Sequence, residues 1–228
     1  MQYLKAEPVY HTFLLSDLEC YGFEHEFQQV YMQEKEGICE GVVLRYYNNL
    51  ILSEFIEKPE CKKIAELVTS EITTVMGKGE NVEQVMRCVD RKWEIIYNTL
   101  YVHQNMKSLE KKVGEIRRAE KKDIERIYEF LMTFPEMIEN RVCGKEGFHI
   151  IMEKEGEIIA HGNSAATTDQ TCMMGGICVA QDMRKKGYAK EILHTLCEEI
   201  RRQGKIPCIF SPEKEQYSIF EELGFEKY

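Results

Sequence analysis

The stretch "MRKKGYAKEIL", Met183 to Leu193, gathers Arg184, Lys185, Lys186 and Lys190 around Gly187 in a chain whose formal net charge is -9. A helix starting here has no Ser, Thr, Asp or Asn between Lys185 and Tyr188 to act as N-cap, so its first backbone N–H groups lack side-chain partners. Free N–H groups, the positive end of a helix dipole and nearby cations make an anion site, and a glycine lets the backbone approach a phosphate closely. A solvated basic turn leading into an amphipathic helix accounts for the same residues. The local pattern leaves both readings open.

The elements that must position this turn are legible on either side of it. Before it, "FHIIMEK" and "EIIAHGNSAAT" flank a turn at Glu155 and Gly156 as a hairpin, and "TCMMGGICVA" reads as a third strand. After it, Ala189, Ile192, Leu193, Leu196, Cys197 and Ile200 form one apolar stripe, and Gly204 is placed to end the helix. "IPCIF" is then a buried strand and "EQYSIFEELGF" a last helix and turn. Upstream, "GEIRRAE" fits a short strand, Asp123 precedes Ile124, Ile127, Tyr128 and Leu131 at helical spacing, and Thr133, Pro135 and Glu136 open a second short helix.

The first half reads as strands "EFQQVYMQ" and "ICEGVVLRYYNNLIL" around the turn "EKEG". A helix carrying Cys61, Ile64, Leu67 and Val68 follows, then one capped by Asn81 and Gln84, and "WEIIYNTLYV" closes the half as a strand. The polar segment Asn105 to Glu115 reads as a linker, dividing the chain into domains 1–110 and 114–228. "VMGKGEN" is no phosphate loop, because no glycine stands five residues before Gly77 and no Ser or Thr follows Lys78.

Composition removes several function classes. With 43% hydrophobic residues the chain is globular, and without a spanning-length apolar run or a cleavable leader it is expected to be cytoplasmic and away from membranes. Nine cysteines without a CxxC pair or zinc-like histidine spacing read as reduced thiols, and no metal is expected. Acidic balance, with aromatics not interleaved among basic runs, argues against nucleic acid. No GxSxG occurs, so a serine hydrolase is disfavoured.

The order of the C-terminal elements resembles the GNAT superfamily of N-acetyltransferases. The family signature is Q/RxxGxG/A behind a strand ending in a small apolar triplet. Arg184, Gly187 and Ala189 stand at its three positions, behind Ile177, Cys178 and Val179. The resemblance implies an α/β fold with a mixed, mostly antiparallel central sheet flanked by helices. It further implies acetyl-CoA as cofactor, its pantetheine paired with the backbone of Ile177, Cys178 and Val179. Backbone groups of Lys185, Lys186, Gly187, Tyr188, Ala189 and Lys190, beside Arg184, would hold the coenzyme A pyrophosphate. The implied reaction is acetyl transfer to a primary amine of a small molecule or peptide by a monomer or homodimer. The first half, which lacks the signature, is either a degenerate copy in a tandem arrangement or an unrelated α/β domain.

The chain departs from the family where a general acid is expected. A tyrosine usually precedes the closing "LGF", and here Phe220 stands in its place; an asparagine often found seven residues earlier is replaced by Glu213. Tyr217, one turn before Phe220, either presents a hydroxyl on the same side or packs as an ordinary tyrosine. Glu157, His161 and Asp169 are candidate bases on or between the strands that would wall the acceptor site. Cys178, with no histidine partner in its own segment, reads as a small strand residue and not a nucleophile. The missing tyrosine keeps a second function in view, a non-catalytic acyl-CoA sensor or interaction module on the same fold.

Overall fold

The structure is a computed structural model that describes residues 1–109, 115–131, 135–143, 147–212 and 217–228, without the side chains of residues 135–137, 140, 217 and 218. It divides into two compact units, Met1–Tyr97 and Asn98–Tyr228.

The first unit contains α1 (Thr12–Tyr21), β1 (Glu24–His25), β2 (Gln28–Lys35), β3 (Ile38–Tyr46), β4 (Asn49–Leu52), α2 (Cys61–Glu66), β5 (Thr74–Met76) and α3 (Gly79–Met86). Its five strands lie in sequence order; the last pair, β4 and β5, is parallel and the others are antiparallel. Alternation along the central strands fills two cores. Val42, Leu44 and Ile51 meet Leu14, Leu15 and Leu18 of α1, while Val43, Leu50 and Leu52 meet Ile64 of α2 and Val85 of α3. The run "ICEGVVLRYYNNLIL" is two strands, because Tyr47 takes a left-handed φ of 51° and turns the chain back. Asn81 is no cap either. It lies buried inside α3, which starts from Lys78 without a side-chain cap.

The second unit contains β6 (Asn98–His103), β7 (Glu115–Arg118), α4 (Ile124–Leu131), α5 (Pro135–Val142), β8 (His149–Lys154), β9 (Glu157–Thr167), β10 (Thr171–Val179), α6 (Tyr188–Arg202), β11 (Ile206–Pro212), α7 (Tyr217–Leu223) and β12 (Phe225–Lys227). The sheet order is β12-β6-β11-β10-β9-β8-β7, with β10 and β11 the one parallel pair among the described residues. Ile192, Leu193, Leu196, Cys197 and Ile200 of α6 bury against Ile150, Met152 and Met174 on one face. Truncating one of these leucines, isoleucines or methionines to Ala costs about 2–5 kcal/mol. On the other face Ile127 and Ile138 of α4 and α5 cover Ile151 and Ile158.

That second layer is also pinned by charge. Asp123, 0% exposed, accepts two bonds from Arg117 at 2.6 and 2.9 Å and one from Arg126 at 2.9 Å, and both arginines also bind Glu153. The two guanidinium groups hold the Asp123 carboxyl well below the usual carboxylate range, Arg117 contributing most. The sequence places Asp123 ahead of a helix; its larger role is to tie α4 to β7 and β8.

Strand β6 corrects the domain boundary. "WEIIYNTLYV" does not close the first half: Asn98 pairs with Pro212 of β11 and His103 with Phe225 of β12, which puts β6 between those strands, inside the second sheet. The division therefore falls at Tyr97/Asn98 and not between 110 and 114. In chain order the first unit's β3-β4-α2-β5-α3, followed by β6 of the second unit, repeats the order hairpin, helix, parallel strand, helix, strand seen in β9-β10-α6-β11-α7-β12. A fragment of residues 112–228 lacks an interior strand and is expected not to fold, whereas 98–228 should melt cooperatively. Circular dichroism melts decide this, and a cooperative transition for 112–228 at the same temperature would overturn the boundary.

Candidate functional site

The site begins where β10 leaves β11. Parallel pairing runs from Thr171↔Ile206 to Met174↔Ile209 and stops, while β10 continues antiparallel to β9 as far as Val179↔Ala160. β11 stays with β6 through Pro212↔Asn98. The cause is a bulge in which Gly175 pairs with Asn163 and Cys178 with His161, one residue too many on β10, which bends the strand. Gly176 takes a φ of 59°, and a Cβ there would stand 2.7 Å from Asn163 Oδ1, so a larger residue would need Asn163 to move as well as a left-handed backbone. Past the bulge Ile177 and Val179 pack into the α6 core, and Cys178, half-buried, stands opposite His161.

The strand leads directly into the basic turn. Lys185 has a φ of 61° and Gly187 a φ of 89°, two left-handed positions within three residues, and α6 starts from Gly187 with no side-chain cap. A left-handed lysine costs roughly 1–2 kcal/mol, and such turns gather backbone N–H groups into an anion-binding concavity. A Cβ on Gly187 would meet no protein atom within 4 Å, so this side of the turn is open. Three of the four cations are engaged locally: Arg184 Nε donates to the Val179 carbonyl at 3.3 Å, Lys186 Nζ to that of Asp182 at 3.0 Å, and Lys190 pairs with Glu222 at 2.7 Å. Tyr188 is buried in the core and Ala189 is half-buried.

The remaining candidates separate. His161 is 0% exposed, with Nδ1 2.8 Å from the Gly176 carbonyl and Nε2 2.7 Å from His149 Nδ1. Both nitrogens are engaged, which leaves no lone pair for an acceptor proton. Glu157 and Asp169 are exposed at opposite ends of β9, about 30 Å or more apart at 3.3 Å per residue, and neither adjoins the bulge. Phe220 is buried and stacked on Tyr101 at 4.7 Å, a hydrophobic anchor for α7. Tyr217 is the first residue of α7, its side chain outside the described residues, as is the whole of Glu213. Among the described residues no three His, Cys, Asp or Glu side chains could hold a metal ion, and no helix is long and apolar enough to cross a membrane. His149, Asn163 and Tyr101 escaped the sequence reading, since only strand register brings the first two to His161.

Residues 113–225 match the model of the acetyltransferase (GNAT) family, and this half of the chain is a domain of that family, whose members bind acetyl-CoA. An acetyltransferase of the GNAT family from Colwellia psychrerythraea is similar over 99% of this chain and 93% of its own, at 17% identity and a TM-score of 0.59. A tandem GNAT protein from the clavulanic acid biosynthesis pathway is similar over 95% of this chain and 84% of its own, at 10% identity and a TM-score of 0.60. The chain spans 59% of a GNAT-family acetyltransferase from Novosphingobium aromaticivorans, which matches 57% of this chain at 13% identity with a TM-score of 0.49. No curated protein matches the sequence. At these identities the likeness is one of fold, and it extends over both halves in the tandem case.

Burial holds His149 and His161 below the ordinary histidine value, with the His161 ring adding to the effect on His149; burial and then Arg201 bring His103 down to about 4. His11 is lowered by burial as well. Below the unfolded value of about 6.5 the unfolded chain therefore takes up protons that the native state refuses, and stability falls with pH until the folded values are reached. The melting temperature is expected to drop between pH 7 and pH 5 and to stay level from pH 7 to 8. A flat profile across pH 5 to 7 would show that these rings are not held neutral.

Proposed function

We propose that the chain is an acetyl-CoA-dependent N-acetyltransferase acting on a primary amine of a small molecule or peptide. The observation that carries this reading is the continuity of the parted strand with the uncapped, open turn. An elongated ligand with a thioester at one end and a pyrophosphate at the other needs both features in that order. Backbone groups of Ile177, Cys178 and Val179, which have no ladder partner on the β11 side among the described residues, would hold the pantetheine. The N–H groups from Lys185 to Lys190 would hold the pyrophosphate, and Lys185, with no partner among the described residues, adds charge to them. Arg184, Lys186 and Lys190 would act chiefly by fixing the turn's shape.

When bound, acetyl-CoA brings the activated acyl group: its C–S bond breaks as the acetyl carbon joins the amine nitrogen, and the displaced amine proton ends on the coenzyme A thiol. The chain's own task is to hold the two reactants together and to place donors at the thioester oxygen. In the first half the repeated order of elements supports a degenerate copy of the same fold. Phe220 favours one second reading, a non-catalytic acyl-CoA sensor, because its buried ring has no hydroxyl to give.

Acetyl-CoA at a hundred times its Kd is expected to stabilise the protein by about 2.7 kcal/mol. Gly187→Asn and Gly187→Asp both tolerate a left-handed backbone and differ by one charge. We expect Asp to weaken acetyl-CoA binding at least tenfold more than Asn, read by calorimetry with both variants folded. Equal binding by wild type and Gly187→Asp would remove the phosphate cradle. Release of free thiol from acetyl-CoA with an amine panel separates enzyme from sensor: binding without release supports the sensor.

A further inference from the structure

The group behind the bulge is polar, buried and directional. Gly176 C=O can only accept, so the hydrogen on His161 lies on Nδ1. With the ring neutral, His161 Nε2 is a bare acceptor, and His149 Nδ1–H must donate to it. The result is a one-way chain, His149 to His161 to the Gly176 carbonyl. Its far end, His149 Nε2, and the neighbouring Asn163 Oδ1 are buried with no partner among the described residues.

The far side of the same peptide is what the chain controls. Among the described residues no peptide bond is cis, so the Ile177 N–H points opposite to the Gly176 carbonyl. The carbonyl is fixed toward the His161 ring, so the Ile177 N–H points away from that ring, at a position past the last β10–β11 ladder pair. Gly176 makes the turn of this peptide sterically accessible, and His161 selects one orientation of it.

We propose that His161, oriented by His149, is a positioning residue that locks the Gly176–Ile177 peptide so that the Ile177 N–H serves as donor to the thioester carbonyl of bound acetyl-CoA. This rests on the acetyl-CoA reading above and assigns His161 a role other than general base. It acts through the backbone and does not touch the ligand.

The test uses acetyl-CoA labelled with 13C at the thioester carbonyl, bound to the full chain and followed by infrared difference spectroscopy. His161→Asn keeps an N–H donor near the Nδ1 position, and His161→Leu has none. Wild type and Asn are expected to lower the carbonyl stretch on binding; Leu should lose that shift while its Kd for acetyl-CoA stays within about threefold. With a reactive amine, kcat should fall at least tenfold for Leu, with little change in the acetyl-CoA KM, and recover largely in Asn, in line with an oxyanion donor worth about a hundredfold. Should Leu fail to fold, the double variant His149→Phe/His161→Leu removes both polar partners and gives the same readout. A full carbonyl shift in Leu or in the double variant overturns the proposal while leaving acetyl-CoA binding intact. Absence of binding by wild type overturns the acetyl-CoA reading and this proposal with it.

Discussion

A strand inside a sheet has two neighbours to satisfy, and β10 stops satisfying one of them after Met174. Every feature of the candidate site follows from that departure. The extra residue between Gly175 and Cys178 bends β10, Gly176 is the residue type that fits the bend, and His161 receives the carbonyl that the bend turns inward. The departure requires that β11 not follow. β6 prevents this by pairing with β11 from Val102↔Cys208 to Asn98↔Pro212, past the point where β10 has left. An interior strand brought from before the linker thus keeps one wall of the gap fixed while the other opens.

Of the backbone groups freed in this way, the Val179 carbonyl takes a bond from Arg184. No N-cap side chain closes α6, and three cations of the turn bind the Val179 carbonyl, the Asp182 carbonyl and the Glu222 carboxylate. Their charge is local. At physiological salt a Debye length is about 8 Å, so the overall charge of -9 does little to cancel a positive turn of this size. The basic cluster in an acidic chain is therefore a structural staple as well as a field, with Lys185 strained into a left-handed conformation between the two roles.

What was legible beforehand was whatever depends on local pattern. The apolar stripe of α6, the hairpin turned at Gly156 and the glycine turn all stand where spacing and turn residues put them. Strand membership did not follow, because "NTLYVH" is an apolar run whose partners lie more than a hundred residues away in β11 and β12. The break falls at Tyr47 and Asn48, and its left-handed residue is the tyrosine and not the asparagine beside it, which is the residue type that ordinarily marks such a turn. His161 was visible as a lone histidine; its meaning depends on His149 and Gly176, which only register brings within reach. Asn81 satisfied a capping pattern three residues too late, since the helix had already started at Gly79.

The two units show why one order of elements need not carry one function. In the first, β4 stays paired with β5 up to Ile51↔Met76, next to its last residue, so no comparable gap forms. The segment between β4 and α2, equivalent in order to the glycine turn, is "SEFIEKPE", with no glycine and three glutamates. Those carboxylates pair with Lys78, Lys35 and Lys63, and α2 has six residues where α6 has fifteen. A phosphate approaching this turn would meet acid in place of N–H donors, and a short helix whose dipole is correspondingly weaker. Closed strands and a reversed charge remove the anion site without removing the fold, so the coenzyme A reading rests on the second unit and on the strand β6 that completes it.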